Sequence, residues 1–250
     1  MLHSSMSNIV LGREEVYKAS SQVWSFRNVD DIVNGINLRF SNMAGGFPFE
    51  SSGHRFTSSE CLYLCGEWSD NTEEHRMIQD FLMQMASGYA CNRYGKAIFR
   101  KQVREDFPTF RLQWMLFCVW QKSKGNADFR QLLLSTGDAI LVEDTTTDKW
   151  SSAEIWGCRN WELANKRLNL ETVLMHHHKD LKRKDLKLLI NVETNKNNDI
   201  GVWKGQNNIG KILMLCRDCI REGIEPQIDY DLLRRSNIYI LGELLTFENN

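Results

Sequence analysis

"NNIGKILMLCRDCI", residues 207 to 220, sets the fold class. Its apolar positions Ile209, Ile212, Leu213, Cys216 and Ile220 step by three and four, the spacing that lines one face of an α-helix. Upstream, "EHRMIQDFLMQMA" (74–86) repeats the pattern with Met77, Ile78, Phe81, Leu82 and Met85. "TFRLQWMLFCVWQK" (109–122) repeats it with larger residues. Three such segments predict a mainly α protein packed on one core. "DAILVED" (138–144) is a short apolar run between turn-formers and predicts a buried strand after a helix that ends at Gly137.

The chain has 250 residues, 42% hydrophobic and 25% charged, which is ordinary for a folded soluble domain. The formal charge of −1 gives no net attraction to nucleic acid or to an anionic membrane. No run reaches the roughly 18 apolar residues of a membrane span, and the N-terminus lacks a leader pattern; the expectation is a cytoplasmic protein with no membrane partner. Seven cysteines scattered through helical segments fit a reducing compartment. Cys216 and Cys219 form a CxxC inside the clearest helix, where cysteine acts as a small hydrophobe.

Residues 163 to 200 differ in composition, being rich in lysine and asparagine with scattered leucines. They read as an insertion, helical in its middle and loose at its asparagine-rich end. Its triple histidine, His176 to His178, does not have the i, i+4 spacing of a helical metal site, so no metal is expected. The basic run "HHHKDLKRKDLK" (176–187) reads either as a solvated face or as a guide for nucleic acid. From Pro226 to Asn250 the chain reads as a terminal extension, and no linker divides it; one domain over 1–250 is expected, with its core at about 24–222.

The stretch "RFSNMAGGFPFESSGHRFTSSE" (39–60) mixes glycine, aromatic rings and small polar groups before ending on a carboxylate. "FTSSECLY" (56–63) fits a capping box, with Thr57 as N-cap and Glu60 reaching back to it. The helix dipole there favours an ionised carboxylate. "WKGQNNIG" (203–210) places Gly205, Asn207 and Asn208 at a helix entry, where free backbone amides can take a phosphate. Trp156, in "EIWGC" (154–158), is either a core ring or a platform on which a base stacks.

Taken in order, "SNMAGGFPF", the SSE that opens a helix, the Trp/Phe-rich helix leading to Lys122 and Asn126, "STGDAILVED", the Trp-Gly pair and "GQNNIGKILMLCR" resemble the NADAR family, also called YbiA-like. The resemblance spans residues 24 to 222 apart from the insertion. It implies a single mainly helical domain with a few short strands, a bound ADP-ribosyl or ribose-phosphate ligand, and hydrolysis of N-glycosidic bonds without a cofactor. ADP-ribosylated guanine, also within nucleic acid, and ribosylated intermediates of the riboflavin pathway are the implied substrates.

By the same resemblance Glu60 takes the place of the family's catalytic glutamate. Ser41, Asn42, Trp156, Gly205 and Asn207 fall on its binding motifs, and Glu143 on the acidic position after the strand. Arg27, Arg39, Phe49 and Phe107 complete the expected substrate-binding set. The chain also departs from the pattern. The upstream strand reads "FRN", so Asn28 stands at a catalytic position where relatives carry lysine; a second family lysine falls near Asn92; and Leu64 and Glu67 replace glutamine or basic residues. Asparagine cannot form a Schiff base.

Breaking a ribose–nitrogen bond passes through a cationic sugar, so the site needs an anion near C1, a water, and help for the departing base. Glu60 suits the first two roles. Trp156 and Phe49 are expected to stack on base or sugar, with Arg39 and the amides near Gly205 and Asn207 on phosphate. The rival expectation is a module that binds an ADP-ribosyl ligand without turning it over.

Overall fold

The computed structural model describes residues 9–27, 29, 31–149, 153–195 and 200–247. The architecture is mainly α with small two-stranded sheets, as expected, and the chain divides into two compact units: Met1–Ser41 with Ser135–Met214, and Asn42–Leu134 with Leu215–Asn250.

In the first unit, β1 (Glu15–Lys18) pairs antiparallel with β8 (Val202–Gly205), and β2 (Val23–Phe26) pairs parallel with β7 (Ile140–Glu143). The expected strand is therefore β7, two residues shorter at its start, and it follows a glycine turn at Gly137 with φ of 55°. Single bridges from Asp144 to Cys158 and from Arg159 to Lys204 link the two pairs. Ala19, Val23, Val142, Cys158, Leu163 and Trp203 form the core beneath them. The hairpin of β3 (Ile32–Val33) and β4 (Ile36–Asn37) turns on Asn34 and Gly35, both at positive φ. This is the type I′ turn that an Asn-Gly pair favours.

The stretch expected as an insertion holds two helices, α7 (Trp161–His177) and α8 (Arg183–Asn195), the first starting just before residue 163. Part of its asparagine-rich end, 196–199, lies outside the described residues. The short α6 (Ala153–Trp156) precedes it, and the N-terminal half of α9 (Asn208–Glu222) completes the unit.

The second unit centres on α1 (Ser59–Glu67), which packs against α2 (Glu73–Met83), α3 (Gly88–Phe99) and α4 (Phe107–Gly125). Helix α4 is buried nearly all round from Trp114 to Trp120, so it is the central helix of the unit rather than an amphipathic one. In α2 the buried positions are His75, Ile78, Gln79 and Leu82, while Met77 is 68% exposed and lies outside the core stripe predicted for it. Gln79 is held inside because its amide donates to the carbonyls of Cys65, Trp68 and Tyr239. A hairpin of β5 (Phe49–Ser51) and β6 (His54–Phe56) turns on Ser52 and Gly53, again at positive φ. Helix α5 (Ala127–Ser135), the C-terminal half of α9, α10 (Tyr230–Arg235) and the hairpin β9 (Tyr239–Ile240) with β10 (Glu243–Leu244) complete it.

Candidate functional site

Glu60 lies in the first turn of α1, one position earlier in the helix than the sequence predicts. The N-cap is Ser58, whose hydroxyl accepts from the Cys61 amide at 3.2 Å. The capping box built on Thr57 is not formed; Thr57 instead donates to the Met85 carbonyl at 3.4 Å. Freed from capping, the Glu60 carboxylate accepts a 2.6 Å hydrogen bond from the Asn92 amide on α3. The approach of the two helices explains the reach. At Gly88 a Cβ would lie 2.7 Å from both Met43 Cα and Ser58 Oγ and 3.0 Å from Glu60 Cβ, so a glycine lets α3 start against α1. Asn92 sits one turn further on, facing the carboxylate.

Asn42 locks the loop before α1. Its carbonyl accepts from the Glu60 amide at 3.2 Å, its side-chain oxygen accepts from Ser59 Oγ at 3.1 Å, and its amide nitrogen contacts Met115 Sδ at 2.9 Å. Asn42 thus aims Glu60.

Burial works against the ionised form that the helix dipole favours. Glu60 is 5% exposed, and burial raises its pKa against the pull of Lys96, the Asn92 hydrogen bond and Lys122. Desolvation of the charged form outweighs a terminal dipole of modest strength. One face of α1 carries a second buried carboxylate seven residues on. Glu67 is pushed up to about 7, mainly by burial, with Lys96 and Arg111 opposing and Glu60 reinforcing. Lys96 Nζ lies 3.9 Å from Glu67. Lys122, on α4, is fully buried and is pulled down to about 7 by desolvation against the influence of Cys216, Cys118 and Glu60. The sequence marked Lys122 only as a motif position and Glu67 only as a departure; their burial is a tertiary property.

Phe49, expected to stack on the ligand, and Phe107, expected to bind it, both pack in the core of this unit. Phe49 is 3% exposed and stacks on Phe56 at 5.9 Å; Phe107 is 4% exposed and meets Tyr63 and Phe110 edge-on.

In the first unit, Asn207 is wholly buried in the left-handed region, with φ of 50°. Its side chain accepts from the Glu143 amide at 3.1 Å and donates to the Leu141 carbonyl at 2.9 Å, fastening β7 to the start of α9. The amides of Gln206 and Asn207 donate to Glu154 and Gly157 carbonyls, so they are not the free phosphate donors predicted. Gly205 is required by packing, since a Cβ there would lie 2.4 Å from the Gly157 carbonyl oxygen. Trp156 ends α6 and is half-buried. Arg27 pairs with Asp148 at 3.2 Å, Arg39 is half-buried, and Ser41 is buried. Asn28 lies outside the described residues. An open groove of about 370 Å³ holds Gly205 with Glu14, Arg159, Trp161 and Lys204, but none of the other predicted site residues.

Among the described residues no cluster of histidine, cysteine, aspartate or glutamate has the arrangement of a metal site, and His176 to His178 are exposed at the end of α7. All seven cysteines are free and buried. No described helix is long and apolar enough to cross a membrane.

The NADAR domain's sequence profile matches residues 26–221. The chain belongs to the NADAR family. N-glycosidase Npun_R5314 of Nostoc punctiforme is 40% identical over 58 residues, which is 23% of this chain and 34% of that protein. The match thus spans about a third of the relative's length. The NMR structure of the E. coli protein YbiA is similar at 20% identity with a TM-score of 0.49, covering 80% of this chain and 86% of that one.

Proposed function

We propose that this NADAR protein is an N-glycosidase that hydrolyses the bond between ribose and a base, with Glu60 as the acting carboxylate. The observation that carries the reading is the buried Glu60 in the first turn of α1, aimed by Asn42 and hydrogen-bonded by Asn92. A carboxylate that sits close to a developing oxocarbenium ion stabilises it and takes a proton from the attacking water. Burial makes both effects stronger than in water and places the proton affinity of Glu60 nearer neutrality, where a general base works best. The name of the Nostoc relative supports the same activity class.

The substrates proposed are an ADP-ribosylated guanine and a ribosylated aminopyrimidine phosphate. Trp156 is the proposed stacking platform, and Arg27, Arg39 and Ser41 are the proposed ligand-binding residues. The exposed basic stretch from His176 to Lys187, broken by the buried Leu186, favours a nucleic-acid carrier of the modified base; affinity for such a carrier then falls steeply with salt.

The test is incubation of wild type and Glu60→Gln with a guanine-ADP-ribosylated oligonucleotide and with ribosylaminouracil phosphate, following free base and ADP-ribose by mass spectrometry. Release by the wild type alone supports the reading. A binding-only protein is the second reading, favoured by Asn92 standing where a family lysine is expected; it predicts ADP-ribose binding by both proteins and release by neither.

A further inference from the structure

Lys122 is a buried amine that the mechanism above does not use. Its side chain is fully buried, yet Nζ has no hydrogen-bond acceptor, and no carboxylate among the described residues lies within ion-pairing distance. It rests 3.9 Å from the centre of the Phe129 ring. Asn126 anchors the start of α5, its side chain accepting from the Phe129 backbone amide at 2.9 Å and donating to the Pro48 carbonyl at 3.0 Å. The titratable groups facing Lys122 are Cys216 of α9, Cys118 of α4 and Glu60 of α1, and burial pushes both thiols up. An ammonium kept out of water without an acceptor is costly, and folds tolerate it where a ligand or a proton completes it.

We infer that Lys122 is the general acid of the N-glycosidic step, its Nζ giving a proton to the departing base while Glu60 deals with the water. The inference rests on the N-glycosidase reading above. The C1′–N bond breaks with its electron pair passing to the base nitrogen, which takes the proton from the Lys122 ammonium. Water adds to C1′ and loses its proton to the Glu60 carboxylate. The products are the free base, ribose with a hydroxyl at C1′, a neutral lysine and a protonated glutamic acid. Passing that proton from Glu60 back to Lys122 resets the site. Burial eases the return, because it raises the acid and lowers the amine.

The test is a pair of leaving groups. One substrate is the ADP-ribosylated guanine oligonucleotide; the other is a pyridinium riboside, whose cationic base leaves without needing a proton. Lys122→Met is expected to lose about 100-fold or more in kcat/KM on the first and to stay within a few-fold of wild type on the second. Lys122→Arg behaves likewise, since a guanidinium does not release its proton at these pH values. Wild-type activity on the guanine substrate falls as pH rises past about 7, a limb both variants lack. Glu60→Gln loses activity on both substrates, and melting curves establish that each variant folds. An equal loss on the two substrates, or no loss in Lys122→Met, overturns the inference and leaves the N-glycosidase reading intact; a wild type inactive on both overturns the two together.

Discussion

The Asn92 amide donates to Glu60 Oε1 at 2.6 Å, joining the first turn of α1 to α3 one turn beyond Gly88. The bond ties a buried carboxylate to the neighbouring helix, and with Lys96 and Lys122 it opposes the upward push of burial. Asn92→Ala removes a donor to a charged group. The Glu60 pKa then rises further, so the acid limb of the activity profile moves to higher pH, and stability falls by about 1–3 kcal/mol at neutral pH. The pH–rate profile and chemical denaturation of the variant check both effects.

Gly88→Ala tests the helix approach. With a Cβ 2.7 Å from the Met43 backbone, α3 must shift or strain, at a cost of about 1–3 kcal/mol. The shift carries Asn92 away from Glu60, so the variant reproduces the altered pH–rate profile of Asn92→Ala. A fully stable Gly88→Ala with an unchanged profile contradicts the geometry.

Glu67 governs stability against pH. Its folded pKa of about 7 stands above the ordinary value of 4.5, so its contribution is fully present below about 4.5 and is lost as pH rises through 7. The loss amounts to about 3 kcal/mol. Glu67→Gln flattens the decline between pH 4.5 and 7, measured as denaturation midpoints across that window.

Lys122 has the opposite sign of shift, from 10.5 down to about 7. Its penalty on stability is largest below pH 7 and fades as pH rises toward 10.5. Lys122→Met is therefore expected to melt higher than wild type at neutral pH, by an amount corresponding to a few kcal/mol. A lower melting temperature contradicts the burial argument.

Much of the helical frame was legible because its signals are local. The 3.6-residue spacing of Ile209 to Cys216 predicts α9, and the apolar run bounded by Gly137 and Asp144 predicts β7. The cap of α1 lies one residue beyond the position the sequence predicts, since Thr57 and Ser58 are both good N-caps and the choice is made by packing: Ser58 faces Gly88, and Thr57 turns to Met85. The Asn34-Gly35 turn carried a sequence signal that the helical reading passed over. At the site, Glu60 was legible as a carboxylate opening a helix, but its neighbours were not. Glu67, Lys96 and Lys122 acquire their character from burial and from helices far apart in sequence. Phe49 and Phe107 could not be told from ligand-facing rings by type alone, and Asn207 looked like a ligand donor because a buried staple and a binding asparagine share the same loop chemistry.

On the proposed mechanism, hydrolysis depends on Glu60. Its most direct measurement is the rate of free-base release from guanine-ADP-ribosylated oligonucleotide by wild type and by Glu60→Gln under saturating enzyme, with ADP-ribose binding measured alongside. Release by the wild type and a loss of about 100-fold or more in the variant are expected, with ligand binding retained. Release by the variant at the wild-type rate contradicts it.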